Sequence, residues 1–308
     1  MQTLYAFFQS ENDNLSNGEK ELLKGIDKIS EMFVTLINVA QEVISFLDTE
    51  QENAKTKHLP TDEERNPNKR LSQNFVYQHF LTNREYLQKV KQYQIHWKDS
   101  QDLIRKIYSQ FRESDDYNGY LISEVNDKEV NDAEDKKLYL TLITHYIAES
   151  DVFISLLEEE NVYWHDDFEL VYIGLARFIK ALPSDANEFS PLPALYKDPE
   201  DDKSFMIALF RKTILNHEEY DKIIESYIKN WEMERIAMMD VLLMKMALAE
   251  VINFPGIPIK VSLNEYIEIS KNYSTPRSSV FINGNLDKII ADLKRQGKIE
   301  KTGRGLVE

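Results

Sequence analysis

The side chains that could do covalent or metal chemistry are sparse. His145 and Glu149 stand at i and i+4, and His165, Asp166 and Asp167 form a compact polar group. Neither arrangement recurs, and no second metal-binding half-motif accompanies them, so both read as ordinary polar positions. The chain has no cysteine, which excludes disulfides, zinc ribbons, iron–sulfur clusters and thiol nucleophiles. There is no phosphate-cradling glycine loop of the Walker or Rossmann type and no G-x-S-x-G, so the reading is a non-enzyme without a cofactor.

Recognition chemistry is better represented, and it gathers near the C-terminus. Lys260, Lys271 and Arg277 are expected near helix ends, where they could offer donors to phosphate. Phe281 could present a base-stacking face or pack in the core, and Ser278 and Asn283 could read polar edges. The Asn283-Gly284 pair costs helix propensity, about 1 kcal/mol for Gly against Ala, and close helix contact is its simplest explanation. Asp240, alone in an apolar stretch, is either a structural carboxylate bonded to a helix N-terminus or a partner-binding group. Lys294, Arg295, Lys298, Lys301 and Arg304 make a basic tail, either solvated charge or an RNA contact.

The charge distribution supports that localisation. The net charge is −16 over 308 residues, which argues against nucleic acid if only the sum is considered. Residues 255–308 carry 9 Lys+Arg against 6 Asp+Glu, or +3, leaving 28 basic and 47 acidic residues and −19 before them. A local basic surface on an acidic body can still attract phosphate.

The elements that must position these residues are helical. Nine Gly and nine Pro in the whole chain are too few for a turn-dense β architecture. Residues 16–19 have capping-box spacing, and Leu22, Ile26, Ile29, Phe33, Ile37 and Val43 then recur mostly every three or four positions, predicting a helix over 18–48. Residues 51–70, polar and carrying Pro60 and Pro67, read as a loop or disordered excursion. Amphipathic segments follow at 72–81, 84–94 and 99–112, where Tyr77, Phe80, Tyr86, Tyr93 and Trp97 fit helix faces of a core. Residues 113–135 are acidic and poorly periodic, and helices are predicted again at 135–148, 150–160 and 166–181.

Pro183, Pro191, Pro193 and Pro199 mark the clearest boundary. Helices are predicted at 201–216 and 218–230, then an almost uniformly apolar one over 236–249 that belongs at a bundle centre. Ser262 to Glu265 is a second capping box, opening a helix to about 271. Ser274, Thr275 and Pro276 should start a last helix that ends near Gly297. The N-terminus has neither the basic lead-in of a signal peptide nor a long apolar run, so no membrane association and a cytoplasmic location are expected.

Two motifs carry a resemblance. The segment from Ile257 to Tyr273, with proline, valine and then an Asn264-Glu265 helix ending in Lys271, resembles a NusB-family pattern. Ser278-Ser279-Val280-Phe281-Ile282-Asn283-Gly284-Asn285-Leu286-Asp287 is similar to that family's Phe-Val-Asn-Gly-x-Leu-Asp signature. Asp240 and Lys245 fall where the family has an acidic residue and an arginine on its central helix. Gln2-Thr3-Leu4-Tyr5 resembles the Gln-x-Leu-Tyr of its first helix.

The resemblance implies an all-α NusB bundle with an additional N-terminal helical region. Residues 1–182 form that region, with its first helix a candidate to pack on the bundle; 183–199 form a proline-rich linker; 200–308 form the NusB-like domain with its basic tail. The implied function is transcription antitermination, through boxA-type single-stranded RNA bound together with the ribosomal protein NusE, other Nus factors and RNA polymerase. Gln2, Tyr5, Lys260, Lys271, Arg277, Ser278, Phe281 and Asn283 would face RNA, and Asp240 and Lys245 a protein partner. Two departures stand out: the arginines that precede the family's Gln-x-Leu-Tyr are not present before Gln2, which implies weaker RNA binding by this chain, and Arg277 replaces a residue that is often acidic. The competing readings are a helical interaction scaffold that keeps the fold without RNA binding, and the NusB-like domain of a larger RNA methyltransferase.

Overall fold

A computed structural model of the chain describes residues 1–10, 14–123, 127–164, 166–228 and 236–307. It is all-helical, with no β-strand among the described residues: α1 (Gln2–Gln9), α2 (Leu15–Lys55), α3 (Asp62–Arg65), α4 (Phe75–Thr82), α5 (Arg84–Tyr93), α6 (Gln101–Arg112), α7 (Asp115–Ile122), α8 (Lys128–Thr141), α9 (Asp151–Glu160), α10 (Phe168–Ala181), α11 (Pro199–Leu215), α12 (His217–Tyr227), α13 (Met238–Asn253), α14 (Ile259–Tyr273) and α15 (Ser278–Arg295). Two compact units result, one of Met1–Lys24 with Tyr196–Glu308, the other of Gly25–Leu195. The division therefore falls inside α2 and after residue 195, within the proline-rich segment 183–199.

In the first unit, α13 is apolar nearly all round and is the centre of the bundle. Leu243, Met244, Ala247, Leu248, Ala249 and Val251 are fully enclosed, and α1, α11, α12, α14 and α15 all pack on this helix. The first helix joins this core through Leu4, which is buried with α13's side chains. Phe7 meets Phe210 edge to face at 5.8 Å between ring centres. Gly18 permits the approach of α2's first turns, since a Cβ there would lie 2.7 Å from Phe210 and 2.9 Å from Phe7.

In the second unit the central element is the rest of α2. Met32, Val34, Leu36, Ile37, Val39, Ala40, Val43 and Ile44 are all enclosed. By length and composition α2 could cross a membrane, but 61% of its most apolar window is buried inside the structure, as in the core helix of a globular protein. Asn38 accepts from Trp97 Nε1 at 2.8 Å and donates to Tyr86 OH at 2.7 Å. Gln41 Nε2 donates to Tyr139 OH at 3.0 Å while its Oε1 is buried without a partner, so both amide groups of Asn38 but only the NH2 of Gln41 tie α2 to the side chains around it.

Three expectations change. The proline-rich segment 183–195 is not a free linker: Asn83 donates to Ser190 O, Glu85 accepts from Leu192 N, and Arg84 N donates to Glu188 O. Residues 51–70 are ordered by polar bonds instead of apolar packing. There α2 continues to Lys55, Thr61 and Glu64 form a reciprocal capping box, and Gln51 and Asn68 donate to Asn68 O and Leu121 O. Finally, residues 113–135 contain α7 and most of α8. The buried face of α8 there is made by Asp132 and Asp135, so apolar periodicity could not reveal it. Residues 229–230 of the predicted helix, and His165, lie outside the described residues.

Candidate nucleic-acid interface

The second half of the bundle is organised by a polar position in its most apolar helix. Asp240, in the first turn of α13, is only 5% exposed, and a buried carboxylate must be matched by donors. Ser274 Oγ donates to its Oδ1, and Ser278 Oγ to its Oδ2 at 2.8 Å. Thr275 N donates back to Ser278 Oγ at 3.2 Å. These bonds pin residues 274–278, the turn between α14 and α15, onto the start of α13. They also explain why α15 begins at Ser278 and not at Pro276.

Two expected contact residues are thereby reassigned. Ser278, expected to read RNA, is 1% exposed and faces Asp240. Asp240, one of the two expected partner contacts, is the internal acceptor of this clip. The other, Lys245, also turns inward: its Nζ lies 2.8 Å from Asp221 Oδ2 on α12 and 5.2 Å from the Phe8 ring on α1. Both belong to the bundle's own joints: hydroxyl donors match the Asp240 carboxylate, and an opposite charge, Asp221, matches the Lys245 ammonium.

What the clip leaves outside is a small surface at one end of α14 and α15. Arg277 is exposed at the N-cap of α15, and Lys271, exposed in the last turn of α14, pairs with Glu268. Phe281 is half-buried against the core, so its ring contributes to packing. Val280 is 77% exposed, and Asn283 and Gly284 are exposed too. A Cβ on Gly284 would meet nothing within 4 Å. The expected close helix contact is therefore not the reason for this glycine.

Lys260 does not join this surface. It lies in the first turn of α14, eleven residues from Lys271, or about 16 Å along the helix. There it lines a groove of about 550 Å³ with Lys294 and Lys301. The basic tail is seated beside this groove: Thr302 N donates to Pro255 O at 3.0 Å and Lys301 Nζ to Phe254 O at 3.0 Å. Burial pushes the Lys301 ammonium below its ordinary value. Gly305 is required here, because a Cβ would stand 2.0 Å from Pro255 O.

On α1, Gln2 and Tyr5 occupy the outer face, with Tyr5 38% exposed. Gln9, at the end of the same helix, donates to Met238 Sδ at the start of α13 at 2.9 Å. The C-terminal end of α1 and the 274–278 turn thus both meet the first turn of α13. Spacing along the chain missed Ser274 as a partner of Asp240. The available signal was the isolated carboxylate itself, which demanded a donor. Among the described residues no group of three His, Asp or Glu side chains is placed to hold a metal ion, and His145 and Glu149 form only an exposed pair at 3.1 Å.

The first unit is thus an all-α bundle with a buried carboxylate clip and an exposed turn bearing Arg277. Comparison with known proteins specifies it: the model of the NusB family matches residues 185–291. A transcription antitermination protein NusB of Salinibacter ruber is 46% identical over 128 residues, covering 40% of this chain and 80% of the relative. Those of Chloroherpeton thalassium and Desulfatibacillum aliphaticivorans are 42% and 37% identical, over 34% and 38% of this chain and 50% and 86% of theirs. The chain belongs to the NusB family of transcription antitermination proteins. No solved structure matches it significantly.

Proposed function

We propose that this chain acts in antitermination without catalysis of its own, binding boxA-type single-stranded RNA together with NusE in a complex with other Nus factors and RNA polymerase. The observation that carries this reading is the Asp240 clip, which fixes the turn bearing Arg277 and leaves Arg277, Lys271, Asn283 and Gly284 outward. Arg277 and Lys271 supply phosphate contacts, and the edge of Phe281 with Asn283 meets a base. Gln2 and Tyr5 extend the RNA surface, and Lys260 serves a separate, second stretch of backbone.

Titration of a boxA RNA onto the full chain, with and without NusE, tests the proposal. Binding should be weak alone, stronger with NusE, and steeply dependent on salt because phosphate contacts dominate. Arg277→Glu should weaken binding to every RNA sequence by a similar factor. No binding at low salt in either arm overturns the reading. The acidic body, −19 over residues 1–254, favours a second reading, a scaffold that binds proteins only. A protein partner retained after ribonuclease treatment, with no RNA shift, would select it.

A further inference from the structure

Residues 25–184 lie outside the family match, and their most distinctive feature is a groove of about 550 Å³ between α8 and α10. One wall is a helical stack that includes Asp132 and Lys136 and continues through Thr141 and Thr144. The other is Tyr172, Ala176 and Lys180, spaced four apart on α10, with the small Ala176 leaving room between the two longer side chains.

Three observations coincide at this groove. Asp132 lines it, is 5% exposed, and its Oδ2 is buried without any hydrogen-bond donor. Native structures rarely leave such a group unmatched, and a buried carboxylate without a donor is strongly disfavoured. The lining nevertheless holds three lysines, Lys136, Lys137 and Lys180, against Asp132 and Glu129, so it is net positive by one. Lys136 and Lys180 form no ion pair among the described residues. Lastly, α8 passes directly into a π-helical turn, Leu142–Ile147, and Thr144 of that turn is part of the wall. Such turns are rare and recur at functional sites.

The ligand these features select has N–H donors at one end and an anion at the other. A single ammonium would satisfy Asp132 but leave the lysines and most of the volume unused. A guanine edge offers N1–H and N2–H side by side, which the two carboxylate oxygens would match once the Asp132 side chain turns its enclosed Oδ2 toward the groove. An adenine edge places a lone pair where the guanine has N1–H, and the carboxylate repels it. The half-buried Tyr172 ring supplies a face for the base, and the lysines receive phosphate.

We propose that the groove between α8 and α10 is a guanine-nucleotide site, with Asp132 reading the base edge and Lys136 and Lys180 holding the phosphates. Calorimetric titration of the full chain at low salt with GDP, ADP and inorganic phosphate tests it. GDP should bind, ADP at least tenfold more weakly, and phosphate more weakly still. Asp132→Asn should weaken GDP at least tenfold while leaving ADP unchanged. Lys180→Glu, at an exposed position near the end of α10, should weaken GDP several-fold without changing the thermal midpoint of the free chain. If Asp132→Asn does not fold, the GDP/ADP ratio and Lys180→Glu still decide. No heat with GDP, equal affinity for GDP and ADP, or indifference of GDP binding to Lys180→Glu each overturns the proposal.

Discussion

Two apolar helices, α2 and α13, are each buried at the centre of a unit, and they solve the problem of buried polar groups differently. In α2 the polar groups are neutral amides midway along the helix: Asn38 and Gln41 bond Tyr86, Trp97 and Tyr139. In α13 they are carboxylates toward the ends. Asp240 takes Ser274 and Ser278, and Glu250 accepts from Tyr266 OH at 2.6 Å. Burial, reinforced by the Glu250 carboxylate, pushes the Tyr266 hydroxyl far up, so it stays a donor. The mid-helix amides tie α2 to two neighbouring helices through Tyr86 and Tyr139 and to the α5–α6 connection through Trp97. The carboxylate at the start of α13 captures the 274–278 turn, which carries the exposed Arg277, whereas Glu250 near its other end bonds within α14.

The largest effects should come from cutting into each core. Ile37→Ala and Leu243→Ala each remove a fully enclosed side chain and should cost about 2–5 kcal/mol. Amide exchange resolved by segment checks the comparison, since Ile37→Ala should accelerate α4 to α8 first and Leu243→Ala α11 to α15 first. Simultaneous acceleration of all segments by either variant would mean that α2 and α13 do not centre separate cores.

Asp240→Ala should cost about 1–3 kcal/mol, because it leaves the buried Ser278 hydroxyl and the half-buried Ser274 hydroxyl without their carboxylate acceptor. It also separates the two strategies. Losing the clip should reduce RNA affinity by more than the stability loss accounts for, measured under conditions where the variant is fully folded. Gln41→Leu, which removes a mid-helix amide from α2, should destabilise and leave RNA affinity alone. Equal effects of both variants on RNA binding would erase the distinction.

How much of this was legible in the sequence follows the same division. The all-α class, the place of α13 and the end of α15 at Gly297, which has a φ of +69°, follow from apolar patterning and Pro/Gly punctuation. The capping boxes misled by a turn. In α14 the helix begins at Ile259 after Pro258, so Ser262 is buried and its hydroxyl lacks a partner. In α2 the helix begins at Leu15, and Asn14 Oδ1, not Ser16, accepts from Asn17 N. A structural role for Asp240 was legible from the lone carboxylate, but its partners were not, because they stand 34 and 38 residues away, beyond any local periodicity. The second unit was hardest where carboxylates replace apolar residues on a buried face, as at Asp132 and Asp135.

That buried acidic face gives the second unit a pH signature. Burial pushes the Asp135 carboxyl above its ordinary 3.8, only partly opposed by bonds from Phe75 N at 2.6 Å and Tyr120 OH at 2.7 Å. The folded state then keeps this proton to higher pH than the unfolded state. Stability from this group is complete below 3.8 and is lost as pH rises through the raised value, then stays level. Urea midpoints between about pH 3 and 7 should show this fall, Asp135→Asn should lack it, and the wild-type profile minus that of Asp135→Asn should isolate it. A difference profile that rises with pH would contradict the assignment.

The smallest change is the most informative about the exposed turn. Gly284 stands in the interior of α15 at an exposed position where a Cβ meets nothing, so Gly284→Ala should stabilise the bundle by about 1 kcal/mol. On the proposed RNA reading, the missing Cβ at Gly284 would let the ligand approach the α15 backbone closely. The variant should therefore melt higher yet bind RNA, or RNA with NusE, less tightly. A gain in stability with unchanged binding would place the recognition surface at Arg277 and Lys271 alone, and would leave the mid-helix glycine outside it.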